Sequence, residues 1–472
     1  MYAIKLLRQV IPISSDNPRP GKQPVITSGL TNAQIRKSLK NSIYDGSAYA
    51  SMQGLTQNYT TPYALAMNAS TTQIGFLAGI PALVMLFTQL VSPILVERVG
   101  SRKRLILLAV FFNGLMWLPI LLIPYLFHSY QVWWLIAFLA MCTAFDALCN
   151  APWNSMMADL VPEQVRGRYF SSRNRINGLV ALVLSFIAGG VLQALTGNIF
   201  LGFAIIFAGA MVSRISSVYF VSQMEEPKIL IPKSKQLSIF RLSLTLGSTN
   251  AGKFIIYNAL MSLAVSFSSP FFAVYMLRDL KFSYLIYVAI NSAATLSTLI
   301  FMPFWGKRID RYGNAKILKT ASLFVPLIPI LWLFSFNIYY LCGAQVFSGL
   351  IWAGFSLAGS LFLYDAAPSE NRTRYMALGN ALVFAGAAVG SLLGGVMAPI
   401  VPAIMRNSLL TVFLISGVMR IVIVFLFAPH ISEVRKTPKA KMKEIIFDGI
   451  NLNGLKRLPY TIFQGTNKTR KK

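Results

Sequence analysis

Asp146 is the residue of this sequence whose position is best suited to chemistry. Of the 15 acidic residues, it alone falls deep inside a long apolar stretch, 130–154. A carboxylate at the centre of a membrane costs about 2.5–3.5 kcal/mol on insertion scales, and such groups usually have a function. It can carry a proton, balance the charge of a cationic ligand, or act as a hydrogen-bonded structural acid. All three roles stay open, because the sequence shows no basic partner at the same depth.

Polar side chains follow Asp146 at helical spacing and recur in three other apolar stretches. Asn150 and Asn154 lie four and eight residues after Asp146, with Trp153 beside them, and the positions 206 residues later are Trp352, Ser356 and Ser360. Two further stripes are Asp45, Tyr49, Gln53 and Gln57, and Tyr257, Asn258 and Ser262. A helix that faced only lipid would avoid these groups. Hydrogen bonds between helices would explain single ones, whereas four stripes together favour the lining of a polar cavity.

The elements that position these stripes are predicted to be membrane helices. The 472 residues are 55% hydrophobic and 12% charged, against about 25% charged in soluble domains. A membrane helix needs about 20 mostly apolar residues. Eleven stretches satisfy this: 73–96, 104–126, 130–154, 172–195, 198–222, 254–277, 284–305, 316–336, 338–363, 376–400 and 408–428. A twelfth, 42–65, is weaker because it carries the stripe that begins at Asp45. The predicted fold class is therefore an all-α polytopic membrane protein with twelve transmembrane helices.

The distribution of charge supports twelve spans. The two tails and the connections after spans 2, 4, 6, 8 and 10 hold 38 of the 43 Lys and Arg residues, and the other connections hold three. Lys and Arg gather in cytoplasmic loops, so we expect a multi-pass cell-membrane protein with both termini in the cytoplasm. Two tails on one side require an even number of spans. The net charge of +28 then reflects topology, and we expect no nucleic-acid partner.

The chain contains an internal repeat. Asp159, Arg166 and Arg168 recur 206 residues later as Asp365, Arg372 and Arg374, and the same offset relates Arg214 to Arg420. The predicted organisation is a tail 1–41, a six-helix bundle 42–222, a linker 223–252, a second bundle 253–429 and a basic tail 430–472. We expect Arg214 and Arg420 to be a symmetric pair of anchors that extend to the cytoplasmic membrane surface.

A short charged motif follows the second span of each half. The second copy contains Gly306, Asp310, Arg311 and Gly313, and the first contains Glu97, Arg98, Gly100, Arg102 and Lys103, with Pro93 in place of the leading Gly. With the two six-helix halves, these motifs resemble the major facilitator superfamily over nearly the whole chain. The resemblance implies alternating access without ATP, a cavity lined by spans 1, 4, 7 and 10, and gating by the motif acids. Glu97 is then expected to face the start of span 11 and Asp310 the start of span 5.

The resemblance leaves the substrate and the direction of transport open. We expect secondary transport of a small solute by a monomer in the lipid bilayer, with proton coupling as the leading mode. The alternative is a transporter-like protein that does not transport, such as a receptor, a scaffold or a lipid scramblase. We expect no enzyme activity, cofactor or metal, because the sequence has no Walker-type loop, His-Glu metal motif or nucleophile elbow.

Overall fold

The computed structural model describes residues 30–227, 246–368, 371–404 and 407–435, together with Glu444. The predicted tails 1–41 and 430–472 and the linker 223–252 therefore lie partly outside the described residues. Within the described ranges the chain is helical, with short turns and one isolated bridge between Ile404 and Asn407. This architecture confirms the prediction of an all-α polytopic fold.

The described helices group into twelve spans, six in each half. Spans 1 to 6 are Asn32–Thr56 continued by Thr60–Ala66, Thr71–Val99, Arg102–Leu115 continued by Trp117–Leu126, Gln131–Leu160, Glu163–Ala194, and Ile199–Ser222. Spans 7 to 12 are Asn250–Ser266 continued by Phe271–Val274 and Tyr275–Asp279, Tyr284–Tyr312, Asn314–Ser322 continued by Leu327–Leu331, Ile338–Ala366, Arg372–Met397, and Ser408–Phe427. Eleven of the twelve are long and apolar enough to cross a membrane, and span 1 is the exception.

Span 1 tolerates its polar residues because neighbouring spans bury much of the helix. It packs against spans 5 and 6, and a side chain at Gly54 would lie 2.4 Å from the carbonyl oxygen of Ala181 in span 5. The helix begins at Asn32, ahead of the predicted start at residue 42, because Thr31 and Gln34 form a capping box. A search for apolar residues misses these polar first turns.

We call the end of the bundle that contains Gly100, Gly313 and the starts of spans 5 and 11 the basic side. The two motif glycines mark the turns there, since Gly100 has φ +70° and Gly313 has φ +92°. Both values lie in the region that favours glycine. The short turns they form join spans 2 and 3 and spans 8 and 9, and they fix the loop motifs at this end.

The two halves meet at the end opposite the basic side. One hydrophobic cluster contains residues of both halves, whereas the other two clusters each belong to a single half. In the shared region, spans 2 and 11 touch backbone to backbone, and a side chain at Gly75 would lie 2.4 Å from the Cα of Gly395. Phe203 of span 6 also packs edge-on against Tyr284 of span 8, with ring centroids 6.2 Å apart. The halves are therefore closed at this end, and the exposed polar residues of spans 4 and 10 lie in the parts of these spans nearer the basic side.

Candidate functional site

Asp146 of span 4 forms an ion pair with Arg214 of span 6. The Nη2 atom of Arg214 lies 3.3 Å from Oδ1 of Asp146, and the two side chains are 3% and 21% exposed. The Tyr49 hydroxyl of span 1 donates to Oδ2 of Asp146 at 3.1 Å, and Gln53 donates to the Tyr49 oxygen at 2.9 Å. Both carboxylate oxygens thus have partners, supplied by two helices other than that of Asp146.

This pairing corrects two expectations about Arg214. The sequence showed no basic partner for Asp146, and Arg214 was expected to extend to the membrane surface. Instead its guanidinium points into the first half, where Nε donates to Oδ1 of Asn113 at 2.8 Å and the group lies 4.7 Å from the centroid of the Tyr49 ring. An uncompensated charge inside the protein is strongly destabilising. Asp146 supplies the counter-charge that the buried guanidinium of Arg214 requires.

A second ion pair joins spans 1 and 5 nearer the basic side. Asp45 is 4% exposed, and its Oδ2 lies 3.6 Å from Nη2 of Arg173. Ser217 donates to the other carboxylate oxygen, and the Arg173 guanidinium stacks 4.3 Å from the centroid of the Trp153 ring. Asp45 is thus a partnered interior residue, and Arg173 is a site residue that the stripe pattern did not indicate.

The second half has a buried arginine that pairs with no acid among the residues that the structure describes. Arg420 is 2% exposed and donates to the carbonyl of Val325 and the hydroxyl of Ser268 at 3.3 and 3.2 Å. Its Nε has no partner among the described residues. The expectation of a membrane-surface anchor is therefore wrong for Arg420 as well. The positions that correspond to Asp146 and Asp45 are Trp352 and Ala251, so both buried pairs belong to the first half alone.

The stripes of spans 4 and 10 present polar side chains to open space, and span 1 adds Gln57 from its far end. Gln57, Asn150, Asn154, Ser356 and Ser360 are exposed, and Trp153 and Trp352 are half-buried. Asn154 donates to Asn150 at 3.2 Å, and the two serines donate to carbonyls of their own helix. An exposed polar face on a membrane helix is compatible with a water-filled cavity and not with lipid.

Span 7 contributes less to this open space than the sequence predicts. Tyr257 is fully buried and donates to Ser322 of span 9 at 2.6 Å. Ser262 donates to the carbonyl of Val383 in span 11 at 2.9 Å, and Asn258 is half-buried. Tyr257 and Ser262 therefore form hydrogen bonds between helices, a common role of polar residues in membrane spans.

The loop motif of the first half is organised around Arg102. This side chain is 5% exposed and lies 2.6 Å from Oδ2 of Asp159. Its backbone N–H and the Ser101 hydroxyl both donate to Glu226, at 2.7 and 2.6 Å. The carboxylate of Glu226 sits at the start of span 3, where a helix N-terminus favours negative charge. Arg102 and Glu226 thus tie the ends of spans 3, 4 and 6 together.

The second half builds the same arrangement with one replacement. Glu433 accepts from the backbone N–H of Ala315 at 2.8 Å, as Glu226 does from Arg102. Asp365 accepts from Asn314 at 2.5 Å and pairs with Arg435, whose Nε lies 2.7 Å from Oδ2. This hydrogen bond raises the pKa of Arg435 above its ordinary value. Arg435, from the segment after span 12, thus occupies the role that Arg102 has in the first half.

The remaining motif residues lie around these two networks. Glu97, Arg98, Asp310 and Arg311 are exposed, and Lys103, Gly306, Arg372 and Arg374 are half-buried. Arg166 donates to the carbonyls of Ala158 and Val161 at 2.7 and 3.3 Å and so holds the turn between spans 4 and 5, whereas Arg168 is exposed. Within the described ranges, Glu97 takes part in no hydrogen bond or ion pair. The predicted docking of Glu97 on span 11 is therefore not made in this conformation.

Asn113, Arg173, Glu226, Glu433 and Arg435 are the functional candidates that sequence reasoning missed. One signal was available for the two glutamates, because each follows the last span of its half, 207 residues apart. No such signal marks Asn113, since its role depends on how span 3 packs against span 6.

Comparisons with known proteins agree with this architecture. The family model of the Major Facilitator Superfamily matches residues 46–254 and again 254–464. A tetracycline resistance protein, class H, of Pasteurella multocida is 30% identical over 102 residues, which are 22% of this chain and 25% of that protein. The chain thus matches about a quarter of the length of this curated relative.

Solved structures of similar fold have lower sequence identity. A variant of the nucleoside transporter NupG has a TM-score of 0.67 at 13% identity, and covers 84% of this chain and 100% of its own. A D-xylose–proton symporter has a TM-score of 0.64 at 13% identity, with 86% and 99% covered. A bacterial homologue of the human lysosomal transporter Spinster, inward-facing and unoccupied, has a TM-score of 0.60 at 14% identity, with 87% and 100% covered. With both halves matched by the family model, the chain belongs to the Major Facilitator Superfamily.

Proposed function

We propose that the protein is a secondary active transporter that moves a small solute across the cell membrane by alternating access. One observation carries the proposal: the polar stripes of spans 4 and 10 are exposed in the parts of these helices nearer the basic side, while spans 2 and 11 close the opposite end. A site near the middle of two such halves is the arrangement that alternating access requires. The similar proteins are a tetracycline resistance protein, a nucleoside transporter and a D-xylose–proton symporter. They differ in solute, so they do not identify the solute of this protein.

We further propose that Asp146 couples the conformational change to protons. Its carboxylate is 21% exposed, whereas the paired Arg214 is 3% exposed, so a proton can reach the acid from the cavity. Protonation would remove the charge that holds Arg214 against span 4. A counter-charge role for a cationic solute has less support, because such a solute would have to displace Arg214.

A solute-independent assay tests this coupling. A cysteine at position 356, introduced as Ser356→Cys, reports from the exposed stripe of span 10 how open the basic side is. Its labelling rate by a membrane-impermeant maleimide should depend on pH in the parent protein and not in Asp146→Asn. The matched control is Asp279→Asn, since Asp279 also pairs with an arginine, Arg278, at 2.9 Å but lies at the opposite end. Equal pH dependence in Asp146→Asn and in the parent would contradict the coupling role.

Transport itself needs a separate measurement. Any solute that stabilises the purified protein in a thermal-shift screen should undergo counterflow in proteoliposomes, and Asp146→Asn should retain counterflow while losing proton-driven accumulation. Binding without counterflow would favour the alternative of a receptor or scaffold. Lipid flipping without any solute gradient would instead indicate a scramblase.

The loop motifs are proposed to gate the basic side. Glu97 and Asp310 are exposed here, and we propose that they dock on spans 11 and 5 when the basic side closes. Asp310→Ala should then raise the labelling of the cysteine at position 356. The control Lys37→Ala removes an exposed charge on the same side and should leave the rate unchanged. An unchanged rate in folded Asp310→Ala would make Asp310 an ordinary surface charge.

A further inference from the structure

Among the described residues, the four stripe segments offer no unpaired charge to a solute. In the stripe segments 49–57, 146–154, 258–266 and 352–360, Asp146 is the single charged residue. Arg214 already pairs with it at 3.3 Å, and Arg173 pairs with the neighbouring Asp45 at 3.6 Å. A charged solute would enter this site without a counter-ion, at the desolvation cost of an unpaired buried charge.

The exposed groups of the wall instead suit uncharged hydrogen-bonding solutes. In the first half, Asn154 donates an amide N–H to the Asn150 oxygen, and the carbonyl oxygen of Asn154 and the amide nitrogen of Asn150 take part in no other described hydrogen bond. In the second half, the hydroxyl protons of Ser356 and Ser360 are used on carbonyls of Trp352 and Leu357, so each oxygen remains an acceptor. A solute hydroxyl both donates and accepts, and it matches this mixture.

Trp352 offers a flat apolar surface one helical turn before Ser356. Trp352 takes the position that corresponds to Asp146 in the other half, is half-buried and is held edge-on by Phe355 with ring centroids 5.3 Å apart. One face of Trp153, by contrast, is already covered by Arg173 at 4.3 Å. An indole is a large rigid platform for the apolar face of a ring.

On the proposed transport function, we infer that the solute is an uncharged, hydroxyl-bearing ring compound of the sugar or nucleoside class. Trp352 provides the platform for the ring, and Asn150, Asn154, Ser356 and Ser360 exchange hydrogen bonds with the hydroxyls. The Asp146–Arg214 pair excludes charged analogues, because either charge would have to break the pair in order to find a partner.

Thermal stabilisation of the purified full-length protein by a matched probe series tests this class. D-glucose, D-glucuronate and D-glucosamine share one ring and differ in charge, sorbitol keeps the hydroxyls without the ring, and uridine represents the nucleosides. The inference expects a shift with glucose or uridine and none with the two charged sugars or sorbitol, and the responding probe identifies the source. Stabilisation by glucuronate, glucosamine or sorbitol, or by none of the five, would overturn it.

Variants connect the response to the named residues. For the stabilising probe, Ser360→Ala should weaken binding about three- to tenfold, which is the effect of one uncharged hydrogen bond. Ser222→Ala removes another exposed serine that donates to its own helix, and it should bind like the parent. If Ser360→Ala and Ser222→Ala bind the probe equally well, the serine hydroxyls of span 10 do not contact the solute.

A change of charge selectivity provides a test that does not depend on loss of binding. Asp146→Asn leaves Arg214 without its counter-ion and should make glucuronate a ligand, whereas Arg214→Gln should do so for glucosamine. If neither folded variant gains its charged analogue, the pair does not set selectivity and the inference fails. A counterflow measurement with the bound probe tests the transport function separately from the solute class. Binding without counterflow would agree with the inferred solute class but contradict the transport function.

Discussion

Replacing Gly75 should favour the conformation in which the end opposite the basic side is open. An added Cβ would lie 2.4 Å from the Cα and 2.8 Å from the N atom of Gly395, and 2.7 Å from the carbonyl oxygen of Ser391. These are backbone atoms, so no side chain can rotate away. Ordinary carbon–carbon contacts are about 3.5–4.0 Å, and spans 2 and 11 would therefore have to separate by roughly 1 to 1.5 Å.

The free energy of this clash applies to one conformation only. Overpacking of a close contact typically costs about 1–3 kcal/mol, and the cost disappears where the two spans part. Gly75→Ala should thus shift the equilibrium about 5- to 150-fold away from the basic-side-open state. Gly190→Ala is the control, because a Cβ at Gly190 would meet no atom within 4 Å.

The labelling rate of a cysteine at position 356 measures the shift. From the basic side, labelling should slow in Gly75→Ala and stay at the parent rate in Gly190→Ala. Gly395→Ala should act like Gly75→Ala, since its Cβ would lie 2.8 Å from the Cα of Gly75. A parent-like labelling rate in folded Gly75→Ala would refute the reasoning, because it would mean that this contact does not separate during the conformational change.

Three further predictions follow from the charges. Arg214→Met should lower the free energy of unfolding by about 3–5 kcal/mol because it leaves Asp146 unpaired, whereas Arg420→Met breaks no described ion pair and should lower it by less; equal losses in SDS unfolding would contradict this contrast. Arg102→Ala should lower the free energy of unfolding more than Arg435→Ala, since the side chain of Arg102 is 5% exposed and that of Arg435 is 43% exposed. A double-mutant cycle should give a coupling energy of only about 0–1 kcal/mol for the Arg435–Asp365 pair. Reporter fusions after Leu30 and Ile445 should both signal cytoplasm, and an outside signal from either would exclude the proposed topology.

The sequence by itself determined the class of fold and its repeat. Apolar stretches of membrane length, the distribution of Lys and Arg, and the offset of 206 residues are properties of the chain order, and they need no knowledge of packing. The same holds for the loop motifs, since Gly100 and Gly313 lie in turns whose backbone demands glycine. The chemistry of Asp146 was also identified as exceptional, because an acid in an apolar stretch is costly wherever its neighbours are.

Only the tertiary structure decided what Asp146 contacts and which stripes are open. Arg214 is 68 residues away in sequence, and helical spacing within one span does not show which face meets a neighbouring span. For the same reason Tyr257 was expected in the cavity but bonds to Ser322 between spans 7 and 9. The side on which the halves are closed depends on contacts such as Gly75 with Gly395, which form in one conformation and break in another, so chain order alone cannot determine it.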